Sequence, residues 1–409
     1  MKSLFICQTD YQLINAINIK KHLLPELEAD IVISNNKPGT IELSKRLQNV
    51  GLFQNVYVYS DSFNGLHRYM RGNDEKNTFC NAIKGSLKNI YLNIFGRIRG
   101  VDFIINHKIF DGKKINFSQY DNLFGVETSS FYGEIYDIIS KYNKCNNNFL
   151  DEGLGCYLRY ALDRKHRVDT VYLYEPEMAA YKDVFFNIIK IPKINLNDEE
   201  FIRLINYVFN FKDLINIKLK NKIIFFDQNT HPMPRYLRNA GKIKRTILRN
   251  PYKKHLKDQI FYETKLELFR VLAEKLKPQK IFVKLHPRST EEYLEDYKKN
   301  NADFFPNIFS PWEVFGCNYE IKNNIWITVY SSALCSYDFT IKNTNNNKYI
   351  FLYKIVNQRG GLKDYKDIDE IITNFQRLNN EKVFLPNSID ELNTIIDTIV
   401  FKNYNRNYI

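Results

Sequence analysis

The sequence lacks the features that would place the chain across a membrane or build a metal or disulfide framework. No stretch approaches the roughly 18 to 20 uninterrupted apolar residues of a membrane-spanning helix, and the apolar opening turns polar at Gln8. The opening therefore predicts a buried strand and no signal peptide. The six cysteines are scattered without CxxC spacing, so we expect neither a zinc site nor a disulfide framework. Together these absences favour a cytoplasmic protein.

Positive charge is in excess, because the formal net charge of the chain is +13. Such a charge attracts nucleic acid, anionic lipid headgroups and anionic substrates alike. The densest basic patch spans residues 242–255 and indicates either a solvated face or docking on the cytoplasmic leaflet, where each cation contributes about 1 kcal/mol. Nucleic-acid binding predicts aromatic side chains among the basic ones, and this patch has only Tyr252. We therefore expect no nucleic-acid partner, and peripheral association with an anionic membrane is a hypothesis.

Length and composition favour two domains, because 409 residues with 44% hydrophobic content can build two cores. Short β-rich runs alternate with amphipathic stretches in both halves, a pattern typical of parallel βαβ units. The predicted strands are 4–7, 31–34, 56–59, 103–106, 148–150, 171–174, 223–226, 281–283, 325–329 and 349–352. The predicted helices are 11–24, 41–52, 132–142, 198–211, 260–276, 368–375 and 389–400, with another beginning near residue 290. We expect an α/β fold with two Rossmann-like domains, 1–215 and 216–409.

Loops that directly follow strands are the places to search, because open parallel sheets bind ligands at the carboxyl ends of their strands. The first such loop contains Asp151, Glu152 and Gly153 after an apolar strand. A glycine lets the backbone approach a ligand closely, and an acid at a strand end is well placed to take a proton from a hydroxyl. The alternative is a helix N-terminus, where acids stabilise the helix dipole.

The second loop contains His286, which follows Lys284 and precedes Pro287 and Arg288. The proline holds the histidine in extended backbone. A histidine flanked by cations is a poor general base, but it forms a good phosphate site together with them. The expected role of His286 is therefore to stabilise or protonate a leaving phosphate. The alternative is an ordinary core or turn histidine. His231, also followed by proline, is a weaker competitor because it has no adjacent cations.

The third loop contains Ser331 and Ser332, where a buried strand runs into the start of a helix. Hydroxyls and free backbone N–H groups at a helix N-terminus form an anion site. The alternative is a simple N-cap, and since capping and phosphate binding use the same geometry, the two roles are compatible. The order of the three loops, one in the first domain and two in the second, is more informative than any single loop.

These loops resemble three motifs shared by bacterial sialyltransferases: a D/E-D/E-G motif at Asp151 to Gly153, an HP motif at His286 and Pro287, and a serine-pair motif. The opening residues 4–13 also look like the start of glycosyltransferase family 52, which contains lipooligosaccharide and capsule sialyltransferases. The resemblance implies a GT-B fold with two Rossmann-like domains facing a central cleft. It further implies an inverting reaction, CMP-sialic acid as donor, a surface glycan as acceptor, no metal or other cofactor, and a homodimer.

The resemblance also implies roles for the motif residues. Glu152 or Asp151 would activate the acceptor hydroxyl, His286 would assist departure of the CMP phosphate, and the serine pair would bind that phosphate on the second domain. The residues expected to contribute to donor binding are Gly153, Lys284, Pro287, Arg288, Ser331 and Ser332, with Arg359 as a further cation for the donor carboxylate. Asp258 and Glu263 are outside candidates for the base.

Two other interpretations remain open from the residues. A GT-B transferase could use another nucleotide sugar, such as a hexose or Kdo donor, because the same fold accommodates many donors. A non-catalytic protein that assembles capsule or binds an anionic polymer could use the positive charge.

The one DxD triplet, Asp367 to Asp369, is predicted to open a helix and is a weak metal candidate.

Overall fold

The computed structural model describes residues 2–35, 39–59, 109, 113–126, 130–158, 168–181, 185–211, 219–228, 249–286, 291–300, 302–305, 311–342, 346–362 and 365–405. The chain forms two compact units. Unit 1 comprises Met1–Lys212 and Phe339–Lys342, and unit 2 comprises Asp213–Asp338 and Asn343–Ile409. Several predictions fall outside the described residues: the strand at 103–106, His231, Pro287, Arg288 and the first part of the basic patch.

Unit 1 contains a seven-stranded parallel sheet with the order β3-β2-β1-β4-β5-β6-β7. Its strands are β1 (Lys2–Cys7), β2 (Glu28–Ser34), β3 (Val56–Tyr59), β4 (Tyr120–Gly125), β5 (Asn146–Leu150), β6 (Thr170–Leu173) and β7 (Asn187–Lys190), followed by the short β8 (Ile194–Asn195). The chain runs outward from β1 to β3 and then from β4 to β7. The direction therefore reverses between β1 and β4, as in doubly wound folds.

The helices described in unit 1 are α1 (Asp10–Asn18), α2 (Thr40–Val50), α3 (Ser130–Tyr142) and α4 (Glu199–Phe209). The Thr9 side chain caps α1 by accepting the Gln12 N–H at 3.2 Å, and Asp198 caps α4 in the same way. A π-helical turn over Ile19–Leu23 continues α1. Gly51, with a φ of +71°, ends α2 in the left-handed conformation that glycine adopts without strain.

Unit 2 contains a six-stranded parallel sheet with the order β11-β10-β9-β12-β14-β15. The strands of this part of the chain are β9 (Ile223–Phe226), β10 (Ile281–Lys284), β11 (Asp303–Phe304), β12 (Ile325–Thr328), β13 (Ile341–Lys342), β14 (Lys348–Phe351) and β15 (Val383–Phe384). Here the direction reverses between β9 and β12. Strand β13 lies outside this sheet and pairs with β8 in unit 1.

The helices that follow β9 are α5 (Arg249–Lys275), α6 (Glu291–Lys298), α7 (Trp312–Asn318), α8 (Ala333–Thr340), α9 (Tyr353–Gln358), α10 (Tyr365–Leu378) and α11 (Ile389–Asn405). The core of unit 2 contains a cluster of aromatic side chains among its aliphatic ones. Trp312 packs edge-on against Phe226 and Trp326 at centroid distances of 5.0 and 5.6 Å. Such pairs add about 0.5 to 1.5 kcal/mol each to the free energy of burying the rings.

Within the described ranges, no helix is long and apolar enough to cross a bilayer.

The predicted α/β class with two Rossmann-like domains is confirmed by these two parallel, doubly wound sheets. The first unit ends its main segment at residue 212, three residues before the boundary predicted at 215. The segment Phe339–Lys342, which the sequence analysis placed in the second domain, belongs to unit 1. The reason is local: Ile341 and Lys342 pair with β8.

Candidate active site

The acid loop follows the carboxyl end of β5, as the sequence predicted. Asp151 is fully buried, Glu152 is partly exposed, and Gly153 has a φ of +100°. That region of backbone conformation is essentially restricted to glycine. A short 3-10 turn, Leu154–Tyr157, follows the glycine. The loop is therefore a tight turn in which one acid points into the protein and the next is accessible.

The Asp151 carboxylate is surrounded by hydrogen-bond donors. Its Oδ1 accepts the Gly153 N–H at 2.8 Å and the Tyr11 hydroxyl at 3.3 Å. Its Oδ2 accepts the Tyr157 hydroxyl and, at 3.3 Å, the Tyr174 N–H. A carboxylate offers about four lone-pair positions, so these four donors occupy its full capacity. Asp151 is thus placed to organise the loop.

Burial raises the pKa of Asp151 to about 6, and the hydrogen bonds from Tyr157, Gly153, Tyr174 and Tyr11 oppose that rise by stabilising the charged form. The carboxyl therefore changes charge close to neutral pH. A protonated Asp151 would have to turn one of its four accepting positions into a donor. The geometry of the loop is consequently coupled to pH.

Glu152 has a different environment. Its Oε2 accepts the Gln12 side-chain amide at 3.5 Å, a long contact, and its backbone N–H donates to the Cys156 sulfur at 3.2 Å. The Cys156 thiol in turn donates to the Leu150 carbonyl at 3.3 Å. The backbone of Glu152 is therefore held by a hydrogen bond, and its side chain is partly exposed.

Helix α1 supplies residues to this site that were not identified individually from the sequence. Tyr11 and Gln12 contact the two acids, and the Asn15 amide donates to the Asp151 carbonyl at 2.8 Å. All three come from the amino-terminal part of the chain, and the first two lie in the opening segment 4–13 that carries the family resemblance. That resemblance was the only available signal, because the polar residues of an amphipathic helix ordinarily face solvent.

The segment that returns to unit 1 also borders the acid loop. The Thr340 hydroxyl lies 3.5 Å from the Tyr11 hydroxyl, and the Phe339 ring packs against Tyr157 at 5.5 Å. Both contacts involve side chains that hold Asp151. The return segment thus supports the donors around the buried carboxylate.

In unit 2, His286 lies two residues after β10 and is partly exposed, whereas Lys284 and Leu285 are buried. The Lys284 carbonyl accepts the Asp227 N–H at 2.9 Å, which extends the pairing between β10 and β9 by one step. The backbone at the carboxyl ends of β9 and β10 is therefore fixed by hydrogen bonds. His286 follows directly after this paired segment.

The serine loop follows β12, as predicted. The Ser331 N–H donates to the Thr328 hydroxyl at 3.1 Å, and the Ser332 carbonyl accepts the Ser336 N–H at 2.9 Å. The Ser332 carbonyl thus begins the hydrogen bonding of α8, while neither serine hydroxyl has a hydrogen-bond partner in the described part of the chain. The serine pair precedes a helix, and no described residue engages its hydroxyls.

Strand β9 lies between β10 and β12, so its carboxyl end separates the histidine loop from the serine loop. Here Asp227 forms a fully buried ion pair with Lys265 at 2.5 Å, and the Tyr297 hydroxyl donates to Asp227 at 2.6 Å. Lys265 also donates to the Gln228 carbonyl at 2.9 Å. This cluster was not predicted from the sequence, because a lysine within a 27-residue helix gives no local sign that it is buried.

Three further residues named from the sequence have local structural roles: a cation expected for the donor carboxylate, an outside candidate for the base and a member of the DxD triplet. Arg359 forms two hydrogen bonds with Glu267, at 2.5 and 2.9 Å, so its guanidinium already has a carboxylate partner. Glu263 accepts the Gln259 amide at 2.6 Å on α5. Asp369, in the first turns of α10, accepts the Tyr353 hydroxyl at 2.5 Å, and the predicted helix there is confirmed.

Two features of the described residues lie outside this chemistry. No group of three or more His, Cys, Asp or Glu side chains that could hold a metal ion occurs among them. A polar cavity of about 380 Å³ in unit 1 is lined by side chains at the amino ends of β5, β6 and β7, including Asn146 and Asn187. It therefore lies at the opposite edge of the sheet from Asp151.

The chain matches no protein-family model and no curated protein. Among solved structures it is similar to an α/β-galactoside α-2,3-sialyltransferase from the luminous marine bacterium Photobacterium phosphoreum, with 10% identity, a TM-score of 0.47, and coverage of 96% of this chain and 99% of that chain. It is also similar to the GT-B domain of a sialyltransferase from Photobacterium damselae, with 12% identity, a TM-score of 0.45, and coverage of 94% and 100%. A third similar structure is MurG from Acinetobacter baumannii, with 11% identity, a TM-score of 0.38, and coverage of 98% and 90%. Membership of glycosyltransferase family 52 stays a prediction.

Proposed function

We propose that the protein is an inverting sialyltransferase that moves sialic acid from CMP-sialic acid to a hydroxyl of a surface glycan, such as lipooligosaccharide or capsule. One observation carries the proposal: Asp151 to Gly153, His286 and the serine pair all follow the carboxyl ends of parallel strands, where such sheets bind ligands. The acid motif belongs to unit 1, and the histidine and serine motifs lie on either side of β9 in unit 2.

Exposure and hydrogen bonding divide the roles of the two acids. Glu152 is partly exposed and accepts a hydrogen bond from Gln12 at 3.5 Å, whereas Asp151 is fully buried and its four accepting positions are occupied. A general base must come within about 2.6 to 3.2 Å of the proton that it takes. We therefore assign the base to Glu152 and the positioning of its loop to Asp151.

In the proposed reaction, the acceptor oxygen attacks the anomeric carbon of sialic acid from the face opposite the phosphate. The carbon–oxygen bond to the acceptor forms as the bond to the phosphate breaks, which inverts the anomeric centre. Glu152 takes the proton of the acceptor hydroxyl, and the bonding electrons leave with CMP. His286 donates a hydrogen bond or proton to the departing phosphate oxygen, and Ser331 and Ser332 bind the other phosphate oxygens through their hydroxyls.

The charge of the leaving group fits these residues. CMP leaves as a monophosphate, so hydroxyls, an imidazole and nearby cations can balance its charge, whereas nucleoside diphosphates often recruit a divalent ion. Lys284 is the described cation nearest in sequence to His286. We therefore expect turnover without added metal.

The first test is release of CMP from CMP-sialic acid by the wild type, Glu152→Ala and His286→Ala, with EDTA and a panel of galactoside and sialoside acceptors. Turnover that persists in EDTA and collapses in both variants would support the proposal and its site. If the wild type gives no turnover, the donor assignment is wrong, and a screen of hexose and Kdo nucleotides then separates another transferase from a non-catalytic protein.

A further inference from the structure

Gln228 is the second residue after β9, and its side chain reaches across to the serine loop. Its Oε1 accepts the backbone N–H of Tyr330 at 2.9 Å. A backbone N–H can only donate, so the amide oxygen must face Tyr330 and the amide NH₂ is left for another acceptor. Gln228 is partly exposed, and no acceptor for that NH₂ is found among the described residues.

The neighbouring serines also have uncommitted donors. The Ser331 backbone N–H is occupied by Thr328, but the hydroxyls of Ser331 and Ser332 have no partner in the ranges that the structure describes. Gln228 and the serines lie at the ends of β9 and β12, where the direction of the sheet reverses. That reversal is the position at which open parallel sheets bind their ligands.

A buried network holds Gln228 in place. Its carbonyl accepts the Lys265 ammonium at 2.9 Å, and Lys265 is paired at 2.5 Å with Asp227, the preceding residue. Both charged side chains are fully buried, and Tyr297 donates a further hydrogen bond to Asp227. A satisfied buried network of this kind is rigid, so the amide is fixed before a ligand arrives.

We propose that Gln228 is a third binding residue for the leaving-group phosphate, beside Ser331 and Ser332. Its oxygen anchors the Tyr330 backbone, and its NH₂ donates a hydrogen bond to a phosphate oxygen that gains negative charge as the bond to sialic acid breaks. The nature of the ligand rests on the proposed function, whereas the site rests on the geometry at the ends of β9 and β12. The amide stays neutral and is not changed in the reaction.

The test compares the dissociation constants of CMP and cytidine for the wild type and Gln228→Glu by titration calorimetry. Glutamate keeps the size of the side chain and an oxygen for Tyr330, but it replaces the NH₂ by a negative charge. We expect CMP affinity to fall at least about tenfold while cytidine affinity is unchanged, because only CMP carries the phosphate. Gln228→Met removes the hydrogen-bond donor without adding charge, so its loss of CMP affinity should be smaller than that of Gln228→Glu.

The matched control is Asn380→Asp, the same amide-to-carboxylate exchange at an exposed residue before β15, at the opposite edge of the sheet. It should bind CMP like the wild type. Unchanged CMP affinity in Gln228→Glu, or an equal loss for CMP and cytidine, would overturn the inference. If the wild type binds UMP or AMP in place of CMP, the proposed donor is wrong, and that nucleotide and its nucleoside test Gln228 in the same way. A wild type that binds no nucleoside monophosphate overturns the anion site itself.

Discussion

The Tyr157 hydroxyl donates a hydrogen bond to the Asp151 carboxylate, and both side chains are completely buried. The same hydroxyl accepts the Glu175 N–H at 3.3 Å, so it links the acid loop to the end of β6. Because Asp151 accepts the Gly153 N–H, we expect a shift of its carboxylate to displace the backbone of the loop that carries Glu152. The two acids therefore differ in environment: Asp151 is fixed by buried hydrogen bonds, and Glu152 is partly exposed.

Removal of the Tyr157 hydroxyl should shift the pH dependence of activity. That hydrogen bond lowers the pKa of Asp151, which burial raises to about 6, so Tyr157→Phe should raise the pKa further. We expect the acidic limb of the kcat/KM profile to move to higher pH. Tyr181→Phe is the control, because the Tyr181 hydroxyl donates to the Cys156 carbonyl at 2.5 Å and touches no carboxylate. An unmoved limb in Tyr157→Phe would show that Asp151 does not set the profile.

Asp151 should make the protein less stable as the pH rises from about 4 to about 6. Its pKa rises from 3.8 to about 6 on folding, so the native state holds the proton more tightly than the unfolded chain does. The free energy of unfolding therefore falls by up to about 3 kcal/mol as the pH rises across this window. Above pH 6 the loss is complete. Urea unfolding of the wild type and Asp151→Asn at several pH values measures this loss. The contributions of the other titrating groups are common to both proteins, so the difference between the two free energies of unfolding reports Asp151. A difference between the two that does not change from pH 4 to 7 would contradict the assignment.

Replacement of Glu152 by Gln should separate catalysis from donor binding. The loss of a general base lowers kcat by about 10² to 10⁴-fold, and CMP affinity should stay unchanged because the proposed phosphate-binding residues Ser331, Ser332 and Gln228 belong to unit 2. Steady-state kinetics and calorimetry check the two expectations. Glu199→Gln, at an exposed acid in the first turn of α4, is the control. Full activity in Glu152→Gln would move the base to another residue.

Loss of the buried lysine should destabilise the protein strongly. Lys265→Met leaves Asp227 buried without its cation, and breaking such a pair typically costs about 3 to 5 kcal/mol. Lys275→Met is the matched control, because its pair with Asp397 is exposed and should contribute about 1 kcal/mol or less. Urea unfolding measures both. The double variant Lys265→Met, Asp227→Leu should regain part of the loss, and equal effects of the two single variants would argue against the buried pair.

The sequence predicted the elements with continuous apolar patterns most accurately. Strands β3 and β9 were predicted with their observed bounds. Strand β4 was missed, although it pairs with β1, because Asp121, Asn122 and a terminal glycine interrupt its apolar pattern. Helix α1 was predicted too long, because the π-helical turn over Ile19–Leu23 keeps a helical hydrophobic pattern.

The candidate site was predicted at the level of motifs, and its supporting residues were not. Asp151, Glu152, His286 and the serine pair were found because each follows an apolar run. Gln228 and Lys265 were missed, since their roles depend on contacts with residues 102 and 38 positions away in the sequence. The distinction between a buried Asp151 and an accessible Glu152 also requires the fold, because adjacent acids in a turn look equivalent in sequence.

The return of Phe339–Lys342 to unit 1 has a consequence for synthesis of the chain. Strand β8 is made about 150 residues before its partner β13, which at about 5 to 20 residues per second is roughly 7 to 30 seconds of translation. During that interval Tyr157 lacks the Phe339 ring against which it packs. Unit 1 is therefore completed only after β12 has left the ribosome, and the support around the buried acid is one of the last parts of the protein to form.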